Sequence, residues 1–246
     1  MKVLVTGAAG FLGRGLIIPF EGACDLRLMD VKDWQTPHEK VVGSVADLQT
    51  VQQAMEGVDA VVIAHMAQQG KDSYGTPTLP YDVNVKGTSN LFFAAAQRGV
   101  KRMALISSGG VVDPAYGAGD YLTRELPFTA CGIYRQTKVL QEVIARLYHN
   151  EFGIGVAIVR AGYITDMDTA QDKYGRKLQE ANWQYCDRRD IGEVCRRALL
   201  LPDLGCEVFW PFSTPMATKH ADMEFVYKRL NWKPRYDFSN LRQSWK

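Results

Sequence analysis

The sequence predicts an α/β fold: a doubly wound parallel sheet with helices on both faces and a small C-terminal substrate-binding extension. Three observations predict it. Short apolar runs alternate with longer segments patterned at helical spacing. The apolar runs are nearly continuous, as strands buried on both faces must be. A glycine-rich turn, Thr6-Gly7-Ala8-Ala9-Gly10-Phe11-Leu12-Gly13, joins the first apolar run to the first helical segment.

The elements follow in order. Lys2–Thr6 reads as a buried strand and Phe11–Phe20 as the helix after it. Leu26–Met29 is a second strand and Val41-Val42 a short third. Asp47 caps the next helix, which sets Leu48, Val51 and Met55 on one face. Asp59–Ala64 is a fourth strand, and Asn84–Arg98 a long helix that Gly99 ends. Met103–Ile106 is a fifth strand, Ile133–Phe152 another long helix, and Val156–Val159 a sixth strand. Ile191–Leu201 is a helix stopped by Pro202, and Val208–Trp210 a late strand. The stretches 112–131 and 163–186 read as loops rich in polar and aromatic residues, the kind that build ligand sites beyond strand ends. No repeat or linker divides the 246 residues. One domain over 1–246 is therefore expected, with substrate-binding elements mainly in 163–186 and 203–246.

Composition removes several function classes. The 29 basic and 27 acidic residues nearly cancel, and the pairs Arg188-Arg189 and Arg196-Arg197 are too short for a nucleic-acid stripe. No apolar run approaches the roughly 18–20 residues that span a bilayer, and Met1–Val5 runs straight into glycines without a long apolar leader. Five dispersed cysteines form no CxxC pair, which predicts reduced thiols in a cytoplasmic protein. Four scattered histidines show no metal spacing, so no metal is expected.

The glycine turn carries the first functional expectation. Gly7 permits the tight turn, Gly10 lets the backbone approach a pyrophosphate, and Gly13 lets the helix pack on the sheet. The helix start offers unpaired N–H groups to the phosphates. That is a Rossmann-type dinucleotide site. Asp30 closes the second strand, where a carboxylate bonds the adenosine ribose hydroxyls and repels a 2′-phosphate; this predicts NAD over NADP, a preference that nearby Lys32 softens.

The second expectation rests on Tyr134 and Lys138, whose i, i+4 spacing places both on one helical face. An ammonium group beside a phenol lowers its pKa from near 10. Tyr134 then takes or returns a proton at a substrate C–O group as hydride moves. Lys138 also holds the nicotinamide ribose. Ser107 and Ser108 end the fifth strand, where a hydroxyl holds the substrate oxygen.

Together these motifs resemble the extended short-chain dehydrogenase/reductase family, also called the NAD-dependent epimerase/dehydratase family. The landmarks run from Met1 to about Leu201: the TGAAGFLG turn, Asp30, His65-Met66-Ala67, Asn84–Thr88, Ser107-Ser108, Tyr134–Lys138, Arg160-Ala161-Gly162 and Asp190-Ile191. The resemblance implies cofactor contacts from Gly7, Ala9, Gly10, Phe11, Leu12, Gly13, Asp30, Met66, Ala67, Asn84, Tyr134, Lys138 and Ala161. Ser108 takes the place of the catalytic serine, beside Tyr134 and Lys138. An acidic residue often near adenine is replaced by Ser44, leaving that contact to Ser44 and Val45. The short chain is similar to the compact uronate dehydrogenase branch, which oxidises free sugar acids at the anomeric carbon. That likeness places Gly70, Lys71, Ser108, Tyr163 and Arg176 toward substrate, with Arg176 forking onto a carboxylate. Tyr163 stands where a smaller polar residue is expected.

The expected function is hydride transfer between NAD and a sugar or sugar-acid alcohol or carbonyl, on a small-molecule substrate and with no nucleic-acid or membrane partner. A nucleotide-sugar epimerase or dehydratase and a non-catalytic dinucleotide sensor are the alternatives. The short C-terminal region weighs against the first and the complete Ser/Tyr/Lys set against the second. The family resemblance also implies a homodimer through Asn84–Arg98 and Ile133–Phe152; Leu91, Phe92 and Phe93 would serve a core equally well.

Overall fold

The computed structural model describes residues 1–68 and 74–241. Strands β1 (Lys2–Thr6), β2 (Asp25–Asp30), β3 (Glu39–Val42), β4 (Ala60–Ile63), β5 (Arg102–Ser108) and β6 (Gly155–Ala161) join a late strand, Cys206–Phe209, in a seven-stranded sheet. Three short strands, β7 (Tyr163–Asp166), β8 (Gln171–Asp172) and β9 (Tyr185–Asp187), form a second sheet, so the late strand is β10. The large sheet has the order β10-β6-β5-β4-β1-β2-β3, and every neighbouring pair is parallel. The chain therefore starts at the centre and winds outward in both directions. This confirms the Rossmann-type fold predicted from the sequence. The strand order reverses between β1 and β4, the point where such sheets bind ligands beyond their carboxyl ends.

Alternation along the strands divides the core. Val3, Val5, Ala60, Val62, Ala104, Ile106, Ala157 and Val159 face one layer; Leu4, Val61, Ile63, Met103, Leu105, Val156 and Ile158 face the other. The helices are α1 (Phe11–Leu16), α2 (Leu48–Ala54), α3 (Thr78–Pro80), α4 (Gly87–Arg98), α5 (Ala115–Ala118), α6 (Ile133–Phe152), α7 (Arg188–Leu199) and α8 (Met223–Leu230). Leu16, Ile191, Val194 and Met223 cover the first layer, while Val51, Leu91, Phe92 and Ala145 cover the second. Gly192 brings α7 against α1, since a Cβ there would lie 2.2 Å from the Leu16 carbonyl oxygen.

Several boundaries differ from the sequence reading. The first helix stops at Leu16 and continues as a 3-10 turn, Ile18–Phe20, because Pro19 cannot donate to a helical carbonyl. Asn84 lies in a π-helical turn, Tyr81–Lys86, ahead of α4. The stretch 163–186 holds the small sheet rather than loop alone. All five cysteines are free thiols. No helix among the described residues is long and apolar enough to cross a membrane, and none of these residues cluster as metal ligands.

Candidate active site

A cavity of about 620 Å³ opens over the carboxyl ends of β1, β2, β4 and β5. Gly7, Gly10, Phe11, Leu12 and Gly13 line one end with Asp30, Ser44 and Val45; Tyr134, Lys138, Ile164 and Lys173 line it elsewhere, with His65, Met66 and Ala67 also on the wall. Residues more than 100 positions apart in sequence thus share one pocket.

The glycine turn is built for close approach. Gly7 adopts φ +71°, and a Cβ there would lie 2.8 Å from backbone atoms of Ala64 and His65. Gly10 caps α1 with no side-chain hydrogen bond and no acidic residue in the first turn, leaving the amide end open to an anion. Asp30 accepts from the Ala9 amide at 3.0 Å and from the Lys32 amide at 3.0 Å, which fixes its carboxylate beside the turn. Ala9 acts through that bond and is not part of the cavity wall.

The segment that follows β4 and helix α6 are tied by Asn84. It is fully buried, accepts from the Ala67 amide at 2.7 Å and donates to Thr137 Oγ1 at 2.9 Å. Asn84 therefore reaches the cavity through Ala67 and does not line it, unlike the direct cofactor contact expected of it. His65 bonds Thr6 Oγ1 at 3.0 Å; burial, with the Lys138 charge adding to it, pushes its pKa down to about 3, so the ring is neutral.

At the other end, Lys138 Nζ donates to the Ile106 carbonyl at 2.9 Å. Burial pushes its pKa down to about 8, the Lys173 charge adds to this, and Glu142 opposes it. Burial pushes Tyr134 up to about 12, against a hydrogen bond from Ser108. The sequence reading had the ammonium lowering this phenol. In the folded chain burial sets the direction instead, and the Lys138 ammonium is directed at Ile106. Strand alternation separates the two serines. Ser107 lines the cavity and donates to Glu142 Oε1 at 2.5 Å, while Ser108 stands beside Tyr134, outside the cavity wall, and accepts from the Gly110 amide at 3.2 Å. Ala161 is the register partner of Ser108 on β6 but lies outside the cavity wall.

The expected substrate residues fare unevenly. Gly70 and Lys71 lie outside the described residues. Tyr163 starts β7, is half exposed and does not line the cavity; Ile164 does. Arg176 is corrected: its Nε donates to Asp172 Oδ2 at 2.7 Å and its amide to Asp172 Oδ1 at 3.0 Å, so it locks a hairpin outside the cavity. The cation that this hairpin puts in the wall is Lys173, one residue past Asp172, which sequence reasoning missed. Among the described residues Lys173 has no carboxylate partner, and its ammonium lies 5.0 Å from the Tyr174 ring centre.

The profile of the NAD dependent epimerase/dehydratase family matches residues 3–165, which contain every landmark from the glycine turn to β6. The chain belongs to this family. Within the NAD dependent epimerase/dehydratase family, its relatives include dehydrogenases of sugars and sugar acids. It is 31% identical over 222 residues to an NAD-dependent glucose-6-phosphate dehydrogenase of Haloferax volcanii, covering 80% of each chain. It is 28% identical over 241 residues to a uronate dehydrogenase of Pseudomonas syringae pv. tomato, covering 95% of this chain and 82% of that one. A mutant uronate dehydrogenase from Agrobacterium tumefaciens, complexed with NAD, superposes with a TM-score of 0.81 at 25% identity, over 97% of this chain and 86% of that one. NAD is the cofactor of this family, and the residues present fit it: an uncapped glycine turn, a fixed carboxylate at the end of β2 and a long cavity joining them to Tyr134.

Proposed function

We propose that this chain oxidises a sugar acid with NAD, using Tyr134 as general base, Ser108 as holder of the reacting oxygen and Lys138 as the charge beside them. The observation that carries this reading is the convergence of the Tyr134 and Lys138 side chains on the same cavity as the glycine turn and Asp30. Bound NAD supplies a two-electron acceptor. Gly10, Phe11, Leu12 and Gly13 would hold its phosphates, Asp30 a ribose and Ser44 and Val45 the adenine side. Tyr134 takes the proton of the substrate hydroxyl, and Ser108 donates a hydrogen bond to the same oxygen. In reduction the phenol returns that proton.

Lys173 argues for an acid as substrate. It adds a second ammonium beside Lys138, and the carboxylate that lines the same cavity, Asp30, is held at the glycine turn. A carboxylate or phosphate on the substrate offsets that charge. The test is NADH absorbance with a panel of uronic acids, sugar phosphates and neutral sugars, each offered NAD and NADP. A uronic acid with NAD should react fastest. NADP should bind at least about tenfold more weakly, because its 2′-phosphate faces Asp30. Isomerised product without net NADH would establish an epimerase instead. Lys173→Met should raise KM for the acid about 10- to 100-fold, the worth of one charge-assisted hydrogen bond, and leave KM for neutral sugars unchanged. Equal effects on both would remove Lys173 from substrate recognition.

A homodimer through α4 and α6 is the matching assembly. Phe93 on α4 and Val143 and Leu147 on α6 are exposed despite being apolar. Light scattering of the purified protein should give twice the 27.5 kDa chain mass; a monomer mass at micromolar concentration would reject this assembly.

A further inference from the structure

Helix α6 carries a third residue on the stripe of Tyr134 and Lys138. Glu142 follows Lys138 by one helical turn and is fully buried. Its carboxylate takes a bidentate fork from Arg160, Nε to Oε1 at 3.0 Å and Nη2 to Oε2 at 3.0 Å. Oε1 also accepts from Ser107 Oγ at 2.5 Å, and Oε2 from Arg146 Nη1 at 3.1 Å. Arg160 is itself buried, beside the rings of Trp210 and Phe128.

The placement of these bonds is specific. Ser107 on β5 and Arg160 on β6 are direct register partners, so Glu142 grips one rung of the sheet from both strands. The rung before it, Ile106 with Val159, supplies the carbonyl that holds Lys138. The rung after it, Ser108 with Ala161, supplies the hydroxyl beside Tyr134. The tie thus sits between the two contacts that set the reacting groups. A buried ion pair gives little net stability over an apolar pair of similar volume. A bidentate fork does give a fixed height and angle.

We propose that Glu142 is a positioning residue: through Ser107 and Arg160 it sets the height of α6 on β5 and β6, so that Lys138 meets Ile106 and Tyr134 meets Ser108. This rests on the reading of Tyr134 and Lys138 given above.

The experiment separates position from stability. The double variant Glu142→Met with Arg160→Met replaces the pair by apolar side chains; Arg146 keeps its bond to the backbone carbonyl of residue 142 and reaches solvent, so no charge is left buried without a partner. Its Tm should stay within about 5 °C of wild type, and NAD affinity should change less than about threefold, since the glycine turn and Asp30 are remote. Turnover should fall about tenfold or more, with KM little changed, because a shift of about 1 Å in a reacting group costs up to roughly 100-fold. Ser107→Ala keeps the pair and cuts its tie to β5; because Ser107 also lines the cavity, Ser107→Thr, which keeps the hydroxyl, is assayed beside it and should recover turnover, and the two decide the matter if the double variant does not fold. Ser107→Ala should lose turnover by about threefold or more at unchanged Tm. Wild-type turnover in the folded double variant or in Ser107→Ala overturns the proposal. Tyr134→Phe is assayed alongside. If it stays active, the reading of the site fails; if it is inert while the double variant is fully active, only the positioning role of Glu142 fails.

Discussion

Tyr134→Phe is expected to lose roughly 10²- to 10⁴-fold in turnover, the usual worth of a positioned proton-transfer group, while binding NAD as the wild type does. The neighbouring groups Lys138, His65 and Tyr74 are each committed to other bonds. Lys138 directs its ammonium at the Ile106 carbonyl. His65 is held neutral and bonded to Thr6. Tyr74 packs edge-on against Tyr134 with ring centres 5.5 Å apart, but its hydroxyl is spent on the Ala67 carbonyl. Phenylalanine keeps that ring contact, so Tm should not fall. The pH profile gives an independent check, and its sign follows from burial. A phenol raised to about 12 is almost wholly protonated at neutral pH, so its basic form grows with pH and oxidation should accelerate from pH 6 upward. Lys138, lowered to about 8, loses its charge above that pH, and the rise should flatten there. Stopped-flow NADH formation across pH 6–10 measures both. A Phe variant with wild-type turnover would remove Tyr134 from the mechanism.

Much of this was legible in the sequence, for a physical reason. Strands buried on both faces must be continuously apolar, and Lys2–Thr6 or Met103–Ile106 can be little else. The glycine turn, Asp30 and the Tyr134–Lys138 spacing are local patterns, and local patterns survive without coordinates. What failed depended on contacts between distant segments. Burial of Tyr134 reverses the sign expected for its pKa, and no motif encodes burial. The small sheet escaped notice because β8 has two residues and β9 three, too few for a period to register. α8 was missed because eight residues inside an aromatic-rich tail show barely two turns of pattern. Arg176 is the instructive case. An acid at Asp172, four residues before it, was a visible sign that the guanidinium already had a partner, and Gly175 was a visible sign of the turn that folds them together. Read that way, the sequence would have pointed to Lys173 as the cation this hairpin sets on the cavity wall.

Gly13→Ala is expected to raise the Kd for NAD about 100-fold or more and to destabilise the fold by roughly 1–3 kcal/mol, the range for an overpacked core. A Cβ at Gly13 would stand 2.3 Å from the Gly7 carbonyl oxygen, 2.6 Å from Ala8 Cα and 2.7 Å from the Ala8 carbonyl oxygen. All three are backbone atoms, so no side chain can rotate away; α1 and the glycine turn must separate. The turn cannot yield easily from its other side, because Gly7 packs so close to the backbone of Ala64 and His65 that a Cβ there would lie 2.8 Å from it. Separation moves the amides at the start of α1 and the Ala9 amide that fixes Asp30, which together form the dinucleotide end of the cavity. Gly10→Ala is the control. Its Cβ meets only the Gly7 carbonyl oxygen, at 3.3 Å, so the fold should hold while the methyl group occupies the space a pyrophosphate needs. Calorimetry and NAD titration therefore distinguish the two positions: both variants should lose NAD affinity, and only Gly13→Ala should lose Tm. Turnover at saturating NAD should persist in both, because Ser108, Tyr134 and Lys138 stand on β5 and α6, which neither methyl group touches. A Gly13→Ala protein with wild-type Tm and NAD affinity would show that the close contact between helix and turn is not what makes the cofactor site.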